Sequence, residues 1–362
     1  MKNTFGNNIS VTLFGESHDE AIGAIVDGLP SGIRIDDDFI KNRMLQRAAR
    51  SDISTDRREP DVVKLISGVL NGHTTGTPIC IMIENKSVRS ADYSTLSDTP
   101  RPSHADYAAY AKWGEFRDWR GGGHFSGRIT APLVAAGAII SYALRQKGVF
   151  IGTHISELHG VCDRHFDNYT DDIKLLDKKP FPALDDQREA RMSEEISKAR
   201  AEGDSLGGIL ESVIVGLEAG VGEPWFDTVE GLLAHALFSI PGIKAVEFGA
   251  GFAFADMKGS EANDPLCIDN GKICTETNNN GGVNGGITNG MPILFRTAVK
   301  PTPSIFKNQK TVRISTGEET VLSLKGRHDP AIIHRARAVV DAISAIVIAD
   351  LLVSKHGTDW LR

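Results

Sequence analysis

The chain has 362 residues, 41% of them hydrophobic and 24% charged, and a formal net charge of −7. That is ordinary globular composition, and its acidic balance argues against a general nucleic-acid binder, whose domain is normally basic. The opening MKNTFGNNIS lacks the apolar run of a secretory signal. The longest apolar runs, 129–144 and 336–353, are broken by polar residues and read as buried helices, not membrane spans. Cys80, Cys162, Cys267 and Cys274 fit no CxxC or zinc spacing. A reduced, cytoplasmic protein with no nucleic-acid or membrane partner is expected.

In chain order, Ile9, Val11 and Leu13 alternate with polar residues and predict a strand that runs into Gly15-Glu16-Ser17-His18. A histidine just past a strand end is well placed for a site, although a lone histidine is more often an ordinary core or surface residue. A second strand is predicted over 21–26. A helix is predicted over 36–50, opened by three aspartates whose charge suits a helix N-terminus. It ends in Arg47 and Arg50, and Arg57 and Arg58 follow. Such a group can clamp a phosphate or carboxylate, or form a solvated basic face balanced by Glu59 and Asp61. Strands over 63–69 and 77–83 flank Asn71-Gly72, a hairpin signal set in what reads as a longer loop.

The stretch 101–128, RPSHADYAAYAKWGEFRDWRGGGHFSGR, carries His104, His124, several arginines and Gly121-Gly122-Gly123. Three consecutive glycines are costly to order, and they suit a place where backbone approaches something closely. An alanine-rich helix over 129–145 and a strand over 150–155 follow. Residues 160–190 are charged and read as an irregular surface excursion, ahead of a short helix over 193–201 capped by Ser193. Next come a strand over 209–215, a helix over 228–237, a strand-like stretch over 246–254 and a contorted Asn/Gly loop over 278–290. A strand over 291–300 ends at Lys300-Pro301-Thr302-Pro303-Ser304, and Asp329-Pro330 opens a long helix over 331–353. Short strands interleaved with a few long apolar helices favour an α+β fold.

P-loop, zinc-protease and Rossmann motifs are absent. What remains is a set of histidines (His18, His104, His124, His328) among recurrent arginines, with Asp329 in that basic company. An arginine-lined pocket suits a polyanionic substrate, and histidines within it supply protons near neutral pH.

In combination the motifs are specific. FGESH (14–18), SGVLNGHTTGTPI (67–79), RPSHADY (101–107), RDWRGGGHFSGR (117–128), EGDSLGG (202–208), GGVNGGITNGMPI (281–293), KPTPSI (300–305) and GRHDP (326–330) stand in order. Through them the chain resembles the chorismate synthase family along essentially its whole length, as one unit over 1–362.

The resemblance implies a fold of long helices packed between two antiparallel sheets, a β-α-β sandwich, in a homotetramer. It implies a 1,4-anti elimination of phosphate from 5-enolpyruvylshikimate 3-phosphate to give chorismate. The cofactor is reduced FMN with no net redox change, and NADPH is the electron source in members that reduce their own flavin. His18 would protonate the departing phosphate, His104 would manage the proton of the reduced flavin, and Asp329 would assist proton removal. Arg47, Arg50, Arg101, Arg128 and Arg335 would hold substrate anions. The flavin would lie against His124, Phe125, Ser126, Pro241, Gly242, Gly285, Lys300, Pro301, Thr302, Pro303, Ser304 and Arg327. Where the family usually has RGGGRSSAR this chain has RGGGHFSGR, RPGH is RPSH, and Pro241-Gly242 stands where Asn-Ala is frequent; weaker flavin retention is expected. A flavin- or anion-binding homologue without turnover, and a flavin reductase, are the rival readings.

Overall fold

The structure, a computed structural model, describes residues 2–49, 53–54, 61–86, 96–324 and 329–362. Two five-stranded antiparallel sheets enclose a layer of helices. The first sheet runs Thr4–Phe5, Ser10–Gly15, Ala21–Asp27, Ile79–Glu84, Lys64–Leu65; the second runs Val161–Cys162, Phe150–Leu158, Gly208–Val215, Ile293–Val299, Ile243–Phe248. In the first, Ile22 faces Ile83, Ala24 faces Ile81 and Val26 faces Ile79. This two-residue period buries all six side chains on one face, and that face is covered by helix Thr130–Gln146.

Helix Thr130–Gln146 crosses helix Ile333–His356, which in turn packs on the second sheet. Its small residues permit the close crossing the sequence predicts. A Cβ on Gly137 would stand 2.3 Å from the Cβ of Ala342, so alanine there would overpack the contact at a cost of about 1–3 kcal/mol. The helical run Gly127–Gln146 is long and apolar enough to cross a membrane, but 89% of its most apolar window is buried within the fold. Helix Asp37–Arg47 packs across both, capped by Asp36, whose carboxylate accepts from Phe39 N at 2.9 Å.

Several local expectations are corrected. The run 63–69 is not one strand: Lys64–Leu65 joins the first sheet, and Val69–Leu70 pairs instead with His73–Thr75. Asn71-Gly72 is therefore a tight two-residue hairpin turn, with φ of 49° and 75°. The charged segment 160–190 holds helix Tyr169–Lys178, capped by Asn168. Its apolar signal is only Ile173 and Leu176, both 1% exposed, on one face. The following helix is Asp186–Ala201, with Asp185 accepting from Gln187 and Arg188 N, so Ser193 lies inside it. The strand expected to reach 254 ends at Phe248, because Gly249 turns with φ of 54° into short helical turns over Gly251–Asp256. Two hairpins, Leu266–Asp269 with Lys272–Thr275 and Gln309–Val312 with Glu319–Leu322, had no counterpart in the sequence reading.

Candidate active site

The Gly121-Gly122-Gly123 loop lies between the two histidines flagged by sequence. All three glycines take positive φ, of 57°, 88° and 52°, a conformation costly to other residues. A Cβ on Gly121 would fall 2.0 Å from His18 Cε1, and one on Gly122 would fall 3.3 Å from His104 Cε1. Each imidazole packs against the loop where a side chain would otherwise stand. The loop is tied to the His18 turn by Ser17, whose N–H donates to Gly123 O at 3.3 Å and whose hydroxyl donates to Arg120 O at 3.2 Å. With its proton committed there, Ser17 Oγ accepts from His18 Nδ1 at 3.0 Å. His18 therefore carries a proton at Nδ1, and Nε2 is its nitrogen for proton exchange. His124 Nδ1 donates to Gly15 O at 2.9 Å and braces the same turn.

His104 is fixed by an acid just beyond it in the chain. Asp106, the first residue of helix Asp106–Trp113, is 8% exposed. Its carboxylate accepts from Arg101 Nε and Nη2, both at 2.8 Å, from Arg101 N at 3.0 Å and from His104 Nδ1 at 2.6 Å. Burial alone would raise the Asp106 pKa, but these donors hold it well below the usual carboxylate range. Arg101 Nη2 also approaches His104 Nδ1 at 3.1 Å. Nδ1 cannot both accept from Arg101 and donate to Asp106, and the shorter bond to an ionised carboxylate makes Nδ1–H the donor. His104 Nε2 is thereby the basic nitrogen. Burial, with Arg101 and Lys300 nearby, lowers the His104 pKa despite the opposing hydrogen bond to Asp106, so the ring is neutral at physiological pH. Ser103 takes φ of 58°. That conformation costs about 1–2 kcal/mol for a non-glycine residue, and it turns the Ser103 carbonyl to Lys300 Nζ at 2.5 Å.

Around this pair stands a buried arginine network. Arg47 donates to Asp61 Oδ2 at 2.8 Å, to Thr130 Oγ1 at 3.0 Å and to Gly127 O at 2.9 Å. Arg128 shares Asp61 and donates to Asn85 Oδ1 at 2.9 Å and Glu84 O at 3.2 Å. Arg335 donates to Arg47 O at 2.9 Å and to Asp329 Oδ2 at 2.6 Å. Glu16 lies beside Asp118 on the far side of the His18 turn. Its pKa is raised to about 7, first by burial and then by its hydrogen bond to Asp118 and that carboxylate's charge.

A cavity of about 530 Å³ opens beside His104, within the usual size of a small-molecule site. Its walls include Arg47, Arg335, Lys244, Lys300 to Ser304, Ser239 to Ile243, Phe125 and Thr130. Burial and the nearby charge of Lys244 lower the Lys300 pKa, the mark of a cationic wall that an anion would relieve. Thr302 Oγ1 is buried without a hydrogen-bond partner among the described residues. An unmet polar atom in a roomy cationic cavity fits a polyanionic ligand. A second cavity, about 400 Å³ and mainly apolar, shares the Phe125, Thr130 and Pro241 wall and is lined also by His124, Ser126 and His235.

Of the residues flagged by sequence, the main cavity is lined by His104, Arg47, Arg335, Phe125, Pro241, Gly242, Lys300, Pro301, Thr302, Pro303 and Ser304. His124 and Ser126 face the neighbouring cavity. Arg101 and Arg128 line neither, since their guanidiniums are turned to Asp106 and Asp61. His18 lies behind the glycine loop, and Asp329 reaches the cavity wall through Arg335. Gly285 sits in the hairpin Val283–Asn284 with Ile287–Thr288 and lines neither cavity. Arg50, Arg327 and His328 lie outside the described residues. Sequence reasoning missed Asp106 and Ser17, and took Asp61 only as a carboxylate balancing nearby arginines. The available signal for Asp106 was an acid two residues after a histidine.

The family model described as "Chorismate synthase" matches residues 9–353. The chain is 45% identical over 354 residues to the chorismate synthase of Thermococcus gammatolerans, covering 97% of this chain and 98% of that one. It is 47% identical over 351 residues to the chorismate synthase of Pyrobaculum aerophilum, covering 96% and 95%. A solved structure titled "Crystal Structure of Chorismate Synthase" superposes with a TM-score of 0.74 at 26% identity, covering 98% of this chain and 94% of that one.

Proposed function

We propose, from the premise that this chain belongs to the chorismate synthase family, that its cavity converts 5-enolpyruvylshikimate 3-phosphate to chorismate and phosphate by 1,4-anti elimination. The observation that carries this reading is the oriented, neutral His104 beside a cationic cavity, with His18 packed on the same glycine loop. Reduced FMN, when bound, supplies electron density to the substrate and recovers it, without net redox change. The residues that would hold it are the 300–304 turn, with the unmet Thr302 hydroxyl, and Pro241-Gly242 opposite.

The chain's own residues then divide the work. Arg47 and Arg335 clamp substrate anions, with Lys244 and Lys300 adding charge. Arg101 and Arg128 act one step back, the first by ionising Asp106 and the second by sharing Asp61 with Arg47. His18, anchored at Nδ1, delivers a proton from Nε2 to the departing phosphate. His104 exchanges its proton at Nε2 on the cavity side. Asp329, oriented by Arg335, accepts the proton the substrate loses. The whole chain acts as one catalytic unit, cytoplasmic and homotetrameric. Its free cysteines support the first assignment, and exposed Trp225, Phe226 and Phe252 support association.

The test is anaerobic: mix the protein with photoreduced FMN and the substrate, and follow chorismate absorbance and free phosphate. Product without net flavin oxidation is expected; FMN binding without product would favour a non-catalytic homologue. Repeating the reaction with oxidised FMN and NADPH asks whether the protein reduces its own flavin. Sedimentation velocity reads the assembly.

A further inference from the structure

The hairpin Leu266–Asp269 with Lys272–Thr275 stands apart from both large sheets. Its register sets Cys267 directly opposite Cys274, and the two sulfurs are 3.1 Å apart. Directly opposed antiparallel residues have Cα atoms about 4.5–5.5 Å apart, inside the span of about 4.4–6.8 Å that a disulfide bridges. A bond between the sulfurs therefore requires no displacement of either strand. Both residues are partly exposed, so a small thiol reagent can reach them. The remaining cysteines lie elsewhere, Cys80 in the first sheet and Cys162 on the edge of the second.

We propose that Cys267 and Cys274 are a redox-active dithiol, a reversible modification site that closes to an intramolecular disulfide by exchange with a low-molecular-weight disulfide. The hydrogen bond that its S–H donates to the Cys274 sulfur, together with burial and that residue's charge, pushes the Cys267 thiol up to about 11. Cys267 therefore keeps its proton, which makes it the resolving thiol and leaves Cys274 as the attacking one. Cys274 attacks one sulfur of the small disulfide, forms a mixed disulfide and releases one small thiolate. Cys267 then gives up its proton, attacks the Cys274 sulfur and expels the second thiolate. The protein loses two electrons and two protons, and the small disulfide gains them as two thiols.

Closure staples an element that is marginal by itself, since a lone two-stranded hairpin has little stability of its own. The opposite face of the hairpin presents Leu266, Ile268 and Ile273, exposed by 75%, 70% and 70%. Its base fixes the next loop, with Glu276 N donating to Pro265 O at 2.9 Å and Asp264 accepting from Asn279 N at 2.7 Å and Asn280 N at 2.9 Å. The reduced and oxidised forms thus differ in how firmly this segment is held.

The experiment equilibrates the full chain in anaerobic buffers of graded oxidised-to-reduced glutathione, quenches with an alkylating agent and maps the peptides by mass. A Cys267–Cys274 disulfide should form in oxidising buffers and return to two thiols in reducing ones. Cys267→Ser, lacking the resolving thiol, should accumulate glutathione on Cys274 at least about tenfold above wild type, the expected imbalance if resolution is fast. Slower amide exchange across 266–275 in the oxidised wild type should accompany closure. The proposal is overturned if both thiols stay free in the most oxidising buffer while Cys162 is modified. It is equally overturned if wild type and Cys267→Ser hold equal mixed disulfide, or if only disulfides between chains form.

Discussion

Two buried arginine–carboxylate networks in this molecule share a helix and differ in what they face. On one side of helix Asp37–Arg47, Arg43 meets Asp177 at 2.6 Å and Asp341 at 3.5 Å; Arg145 binds Asp177 at 2.6 and 2.9 Å, and Arg337 donates to the Leu176 and Lys179 carbonyls. One turn later, Arg47 belongs with Arg128, Arg335, Asp61 and Asp329. Each set has three guanidiniums and two aspartates, so charge count does not separate them. The difference lies in the walls. Arg43, Arg145 and Arg337 are closed in by protein, whereas Arg47 and Arg335 line a cavity. A guanidinium becomes a ligand group when one of its sides is left to a space a ligand can fill.

The largest expected effects concern the imidazoles the second network surrounds. His18→Ala and His104→Ala should each lower turnover by about 10²–10⁴-fold, measured with reduced FMN in protein whose circular dichroism is unchanged; wild-type rates would remove the residue from the mechanism. The sealed network should answer in stability instead. Asp177→Ala leaves Arg43 and Arg145 without their shared carboxylate, and its urea midpoint should report a loss of about 3–5 kcal/mol. The substrate KM of the folded fraction should stay put. Arg335→Lys keeps the charge but loses the planar fork, so KM should rise about tenfold, near 1.4 kcal/mol, with little change in unfolding. If Asp177→Ala raised KM, or Arg335→Lys changed only stability, the distinction between the networks would collapse.

Two smaller effects sharpen it through pH. The His104 pKa lies below its ordinary value, and Asp106 is the group that opposes this shift. In Asp106→Asn the acid limb of kcat/KM should move to still lower pH, together with a fall in kcat as Nδ1 loses its acceptor; an unmoved limb would detach Asp106 from His104. Glu16 has a folded pKa raised to about 7 from 4.5. Its contribution to stability is present below the unfolded value and is lost as pH rises through about 7. The wild-type thermal midpoint should sag across that window, and Glu16→Gln, which keeps a donor without titrating, should flatten the curve.

Much of this was legible in the chain because its signals are periodic or steric. The alternating isoleucines announced the first sheet, alanine-rich 129–145 announced the central helix, and three consecutive glycines announced a close approach. His18 and His104 stood out by their setting. Helix Tyr169–Lys178 was hidden because its two buried apolar residues are diluted by charge, and Asp185 displaced Ser193 as the cap one helix later. Asp106 was hidden for another reason: an acid in the first turn of a helix already has an explanation in the helix dipole. Its bonds to Arg101 and His104 appear only when the turn at Ser103 folds the chain back. The pairing of Arg101 with Asp106 and of Arg128 with Asp61 was hidden likewise, since nothing in composition tells a guanidinium facing a cavity from one facing an aspartate.

The glycine loop has a mechanical corollary. Both rings pack against adjacent glycines of one loop, so the spacing of the two proton carriers follows the loop's backbone. Tilting one peptide plane re-aims both rings at once. A methyl group at Gly121 has nowhere to go but into His18, so tolerance at this position is a direct reading of how finely that spacing is set.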